Sequence, residues 1–255
     1  MNSLVFDRII IKSFNGIGDL LFVTPTLKKI KEFYPNIHIT VNTNYPDLLL
    51  NNPFIDKIGS DNEGIFLGYP DPIHAKNPIM HHIQFDYQIV KRACGLNKLP
   101  LFLTEDEAVP EIYLKKYEGA KSKIGVQVVH KGHWNKKKVW PFFSKICFDR
   151  RDILEPIVLQ SIPELIKTIS SYKAVLCAEG GISHIAKAVG THAIVVYGGF
   201  AKPAWNGYKD HDNICKTLPC SYCYNPFPCK SEYEERECMR NISIDHIVNR
   251  IKKVK

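Results

Sequence analysis

The apolar run Ile9-Ile10-Ile11 ends in Asn15-Gly16-Ile17-Gly18-Asp19, and Leu20, Val23, Leu27, Ile30 and Tyr34 then follow at helical spacing. A strand that turns through glycines into an amphipathic helix opens a βα unit, which leads the chain toward a parallel sheet covered by helices. Such a turn aims backbone N–H groups at the mouth of the sheet, and Asp19 sets a carboxylate there. The third glycine of the dinucleotide fingerprint is absent, so the segment does not read as a nicotinamide or flavin site. Two readings of Asp19 stand side by side: an acid that stabilises the first turn of its helix, or a base that takes a proton from a bound substrate.

The arrangement recurs. Ala174-Val175-Leu176-Cys177-Ala178 runs into Glu179-Gly180-Gly181-Ile182-Ser183-His184, and after Gly190 the run Ala193-Ile194-Val195-Val196-Tyr197 ends in Gly198-Gly199. Upstream stands Lys138-Val139-Trp140-Pro141. In this order the Gly-Asp turn, the Lys-x-Trp-Pro element and the acid-Gly-His segment resemble the family 9 glycosyltransferases, the group of the lipopolysaccharide heptosyltransferases. The resemblance spans most of the chain. It departs at Glu179, where the family carries Asp, at Gly180, where it carries a small hydroxyl residue, and between Phe143 and Gln160, which is short by about one strand and helix.

What the resemblance implies is an α/β protein of two facing Rossmann-like lobes, the GT-B type in shortened form. It implies transfer of a sugar from a nucleoside-diphosphate donor, ADP-heptose by default, to a hydroxyl of a glycan or lipopolysaccharide-type acceptor. The anomeric centre is inverted, with no bound metal needed for the chemistry. Asp19 is then the general base, and Asn15, Gly16 and Gly18 line the acceptor side. Lys138 and the N–H groups from Gly180, Gly181 and Ser183 receive the diphosphate, with Lys136 and Lys137 as substitutes, and Glu179 accepts from donor hydroxyls. His184 is equally readable as a core histidine. Gly207 to Asn213 reads as a polar loop over the cleft, with Tyr208 and His211 as candidate donor contacts.

Periodicity sorts the rest of the chain. Strands are expected at 5–12, 37–42 and 64–67, and helices from Gly18 to Phe33, near Pro46 to Asn51, and from Ile79 to Cys94. Pro25 should kink the first helix or restart it with Thr24 as cap. The Pro-containing stretch from Leu99 to Tyr117 reads as the crossing between a first lobe, 1–118, and a second, 119–255. Strands are expected there at 124–129, 157–159, before Glu179 and before Gly198. Helices follow at 141–148 and 163–171, and a last one starts at Ser243 with Ile244, Ile247, Val248 and Ile251 on one face.

The formal charge of +8 favours anionic partners, whether phosphate-bearing ligands or an acidic membrane face, although lysines spread over a solvated surface give the same count. No apolar run is long enough to span a bilayer, and the N-terminal residues lack the parts of a secretory signal. The expected location is the cytoplasm, with peripheral contact at the inner membrane face. In that compartment thiols stay reduced, so the clustered Cys220, Cys223, Cys229 and Cys238 read as ligands of a structural zinc or iron, or as free thiols of a loop. Cys94, Cys147 and Cys177 sit in apolar runs and read as core. Two other functional classes stay open: a nucleotide-sugar epimerase of the same architecture, and a nucleic-acid-binding protein that uses the cysteine loop.

Overall fold

The structure is a computed structural model and describes residues 7–67, 79–129, 137–158, 160–198, 201–223, 229 and 235–254. Lys136 therefore lies outside the described residues, as do the start of the first expected strand, Leu159 and Gly199. The chain divides into two compact units, one holding the described residues up to Leu67 with Met80–Leu114, the other Lys115 onward.

The first lobe is built from β1 (Arg8–Ser13), α1 (Ile17–Phe33), β2 (His38–Thr43), a 3-10 turn (Pro46–Leu49), β3 (Lys57–Gly59), β4 (Ile65–Phe66) and α2 (His82–Ala93). Its strands are parallel in the order β3-β2-β1-β4, with Arg8 opposite His38 and Ser13 opposite Thr43. Ile9, Ile11, Ile39 and Val41 of the strands are buried, as are Leu20, Val23, Leu27 and Ile30 of α1, the near-continuous apolar strand pattern of a covered parallel sheet. Because β2 and β3 lie on one side of β1 and β4 on the other, the topology reverses at β1/β4, where the α1 turn emerges.

Pro25 neither restarts α1 nor ends it. A proline has no N–H to offer the carbonyl four residues back, and here Thr24 Oγ1 donates to that carbonyl, Leu21 O, at 2.8 Å. The same hydroxyl accepts from Glu111 N at 2.9 Å. Thr24 is thus a repair inside one continuous helix and no cap. The lysines of α1 are also not free surface charge: Lys28 pairs with Glu111, Lys29 with Glu107 and Lys31 with Asp56.

The second lobe contains β5 (Ile124–Gln127), α3 (Phe143–Asp149), β6 (Leu154–Ile157), α4 (Ile162–Ser171), β7 (Ala174–Ala178), α5 (Gly181–Val189), β8 (His192–Tyr197), α6 (Pro203–Asn206), β9 (Asp212–Cys215), α7 (Glu237–Arg240) and α8 (Ile244–Ile251). All five strands are parallel, ordered β6-β5-β7-β8-β9. This doubly wound order reverses between β5 and β7. Strand β6 begins before the expected residues and includes Pro156, tolerated because β6 is an edge strand and a ladder N–H can be missing there.

Trp140 is fully buried and anchors this lobe. Its indole Nε1 donates to Ile242 O at 2.9 Å, and its ring meets Phe142 and Phe143 edge-on at 5.4 and 5.3 Å. Burial of such a side chain is worth about 3–5 kcal/mol against alanine. The tryptophan of Lys-x-Trp-Pro is therefore a fastening, and what it fastens is Lys138, two residues before it. Ser161 and Glu164 close a capping box on α4, and Ser243 caps α8 through His246 N at 3.2 Å.

Candidate functional site

Each lobe presents its glycine turn at the carboxyl end of its sheet and at its own topological switch point, where open α/β sheets bind ligands. In the first lobe Gly16, in extended conformation, is the N-cap of α1, and Asp19 lies in the first helical turn with 6% of its surface exposed. Asn15 and Gly18 flank it in the same turn. The N-terminal end of the helix dipole favours an ionised carboxylate at that position.

The first lobe also buries a pair that stands at helical spacing in the sequence. His82 and Asp86 sit one turn apart on α2, on the stripe that also buries Ile83, Tyr87 and Val90. Their side chains are each 2% exposed and their Nε2 and Oδ1 atoms 3.6 Å apart. The Phe22 ring of α1 packs on His82 at 4.5 Å and edge-on against His81 at 6.0 Å. Burial holds the Asp86 carboxyl well above the usual range, and the charge of Asp19 pushes it further; burial also lowers His82 to about 3, with His81 adding to the effect. An acid and a histidine set into an apolar helical stripe are the signal that would have found them.

In the second lobe, Lys138 and Glu179 meet at the switch point as a buried ion pair, Nζ to Oε2 2.8 Å, with side chains 10% and 7% exposed. The contact is Coulombic more than an aligned hydrogen bond, since Oε2 accepts none of good geometry. The other carboxylate oxygen accepts from Asn206 Nδ2 at 2.6 Å, and Gln127 Oε1, at the end of β5, accepts from Ala178 N at 3.1 Å. Asn206 and Gln127 had no signature in the sequence, because both reach the site only through the strand order. Lys137, beside Lys138, is buried as well.

Gly180 is the N-cap of α5 at φ 144° and ψ −158°, a backbone region that glycine tolerates and other residues do not. A Cβ placed there would meet no heavy atom within 4 Å, so the glycine is required by the turn and the space before the helix is open. The first-turn N–H groups of Gly181, Ile182 and Ser183 have no intrahelical acceptors, as at every helix start. The Ser183 hydroxyl is turned inward, donating to Gly180 O at 2.7 Å and accepting from Gly180 N at 3.4 Å. It shapes the cradle and does not point out of it.

His184, Tyr208 and His211 form a buried row. His184 Nδ1 is 2.9 Å from the Tyr208 hydroxyl, and the Tyr208 and His211 rings meet edge-on at 5.5 Å. Residues 207–211 lie outside helices and strands, as expected, but residues 212 and 213 already belong to strand β9, paired in parallel with β8, and Tyr208 and His211 are buried. Apolar packing of Ile214 under the sheet outweighs the polar composition of the segment. Burial lowers His211 to about 4, so it is neutral.

Cys94, Cys147 and Cys177 are buried, as their apolar runs imply. Cys238 is buried, and Cys220, Cys223 and Cys229 are half-buried. Burial raises the Cys238 thiol to about 11, with Cys220, Cys229 and Cys223 adding to the rise. Among the described residues no group of three or more His, Cys, Asp or Glu is arranged to hold a metal ion. No helix among them is long and apolar enough to cross a membrane.

Residues 159–233, which contain the whole Glu179–His184 turn, match the family model of glycosyltransferase family 9 (heptosyltransferase). No curated protein sequence gives a match. Among solved structures, the fold is similar to the iron-containing dodecameric glycosyltransferase TibC from enterotoxigenic E. coli H10407, with a TM-score of 0.72 at 12% identity over 97% of this chain and 78% of that one. TibC has also been solved in complex with ADP-D-β-D-heptose, and that structure gives a TM-score of 0.74. E. coli ADP-heptose lps heptosyltransferase II gives 0.61 at 13% identity, over 97% of this chain and 98% of that one. E. coli heptosyltransferase WaaC with ADP gives 0.57 at 11% identity, over 97% and 100%. At these identities the likeness establishes the fold: the two-lobed α/β architecture of heptosyltransferases, with parallel sheets in both lobes.

Proposed function

We propose that this chain is a glycosyltransferase of the heptosyltransferase type, which transfers a sugar from a nucleoside-diphosphate donor, ADP-heptose by default, to a hydroxyl of a glycan or lipopolysaccharide-type acceptor. The observation that carries the reading is the α5 turn at the switch point of the second lobe. An open, glycine-capped helix start beside a buried lysine is built for a diphosphate, and it lies inside the segment that matches the family model. In this reading Asp19 takes the proton of the acceptor hydroxyl as that oxygen attacks the anomeric carbon. The bond from that carbon to the diphosphate oxygen breaks on the opposite face, which inverts the centre. The leaving diphosphate gathers charge, and Lys138 with the α5 N–H groups stabilises it. Asn206 and Lys138 hold Glu179 in place for the donor hydroxyls, and His184, steadied by Tyr208, supports the turn from behind.

A thermal-shift panel of nucleoside diphosphates and nucleotide sugars tests this. A ligand present at about 100 times its Kd adds about 2.7 kcal/mol to the folded state, so ADP and ADP-heptose should raise the melting temperature while nucleosides without a diphosphate should not. Donor consumption should then require an acceptor. Conversion of the donor sugar without one would replace transfer by epimerisation, and a rise only with oligonucleotides would replace it by nucleic-acid binding.

We further propose that Cys220, Cys223, Cys229 and Cys238 hold one structural zinc or iron ion that orders the chain before α8. The reading rests on their spacing in the sequence, and four thiols suit a closed tetrahedral site that supports folding and leaves no position for substrate. TibC is described as iron-containing. Protein purified without added metal should carry about one zinc or iron per chain, and Cys223→Ser should lower both metal content and melting temperature. Metal-free protein of unchanged stability, or a disulfide among these cysteines under conditions that block oxidation, would defeat the proposal.

A further inference from the structure

The lysine that the proposed function sets on the donor diphosphate meets Glu179 with its side chain, while the backbone beside it is held by a different part of the lobe. Val139 O, the carbonyl next after Lys138, accepts from Arg236 Nη1 at 3.3 Å, and Trp140 Nε1 donates to Ile242 O at 2.9 Å. Two residues of one late segment thus pin the chain directly after Lys138. Arg236 is itself built into place. It stands before α7 in left-handed conformation, φ 60° and ψ 35°, a backbone region that a residue other than glycine keeps where its surroundings hold it there. Its backbone N–H donates to Cys229 Sγ at 3.4 Å, and Cys229 N donates to Glu235 Oε2 at 3.0 Å. Met239 of α7 is fully buried, and a Cβ at Gly198, just past β8, would fall 2.0 Å from its sulfur. Helix α7 therefore lies against the carboxyl end of β8, with Cys238 and Met239 in the same core as Trp140.

We propose that Arg236 is a positioning residue for Lys138: through the Val139 carbonyl it ties the diphosphate lysine to the cysteine segment before α8, so that the order of that segment sets donor affinity as well as stability. The inference rests on the reading of Lys138 as a diphosphate contact. A lysine on its flexible stem loses conformational freedom when it holds a phosphate, and a backbone fixed in advance leaves less freedom to lose. The guanidinium supplies that fixing from a residue whose own main chain is bonded to Cys229.

Arg236→Gly is the informative variant, since glycine takes the left-handed backbone without strain and the guanidinium is removed. Calorimetry with ADP on the full chain is expected to show affinity about fivefold weaker at a melting temperature close to the parent's. Arg236→Lys, whose ammonium can donate to the same carbonyl, should restore most of the loss. In the Lys138→Ala background Arg236→Gly should cost no further affinity, because the lysine it positions is gone. Full ADP affinity in Arg236→Gly, or a loss that adds undiminished to that of Lys138→Ala, would overturn the proposal. Amide hydrogen exchange without ligand reads the tie independently of the donor: exchange at Val139 and Trp140 should quicken in Arg236→Gly while that of β7 stays as in the parent. Unchanged exchange at those two amides counts against the proposal equally. A parent chain that binds no ADP overturns the donor reading and with it the effect on affinity, whereas the exchange comparison still confirms or refutes the tie between Arg236 and the Lys138 segment.

Discussion

Asp19→Asn is expected to lower turnover by about 100-fold or more, the scale of losing a positioned general base, while leaving donor affinity nearly unchanged. The amide preserves the shape of a residue that is almost wholly buried in the first turn of α1. It removes the capacity to accept a proton. The favourable interaction of the carboxylate with the helix N-terminus is lost as well, but that is worth about 0.3–1 kcal/mol and shows in the melting temperature. Donor binding belongs in this reading to the second lobe, so calorimetric affinity for ADP should survive. Turnover within a few-fold of the parent would remove Asp19 from the mechanism and leave it the bland role of a helix-stabilising acid.

Lys138→Ala is expected to damage stability and binding together. The ammonium is the charged partner of Glu179 at 2.8 Å in a buried setting, and truncating one member of such a pair leaves an uncompensated charge at a cost of about 3–5 kcal/mol. In addition, a charge-assisted contact to phosphate accounts for about 1.5–3 kcal/mol, a loss of roughly tenfold or more in nucleoside-diphosphate affinity. The double variant Lys138→Ala with Glu179→Gln separates the two effects. Denaturant unfolding should show most of the stability restored, since the orphaned charge is gone, and calorimetry should show affinity still weak. Full affinity in both variants would move the phosphate contact to Lys137, which is buried next to it.

Much of the framework was readable because strand and helix signals are local. The apolar run before Asn15 and the run before Glu179 are strands, the helices after them start at the expected glycines, and Ser243 caps the last helix. Short strands such as β3 and β9 were not readable, since a few residues carry no period and their assignment comes from a neighbour already in place. Pro25 misled for a related reason. The breaker rule counts the missing N–H, and the hydroxyl that answers for it is visible only once Thr24 and Glu111 are side by side.

The sequence by itself determined the α/β class, both glycine turns and the acid that each carries, because period, turn chemistry and helix-start preferences act within a few residues. The tertiary structure alone decided the strand orders β3-β2-β1-β4 and β6-β5-β7-β8-β9, and with them that each turn stands at a switch point. It also decided that Lys138 faces Glu179 and that the Tyr208 hydroxyl meets His184. These are pairings between residues distant in the chain, chosen by which apolar faces can be buried together, and no local pattern encodes that choice.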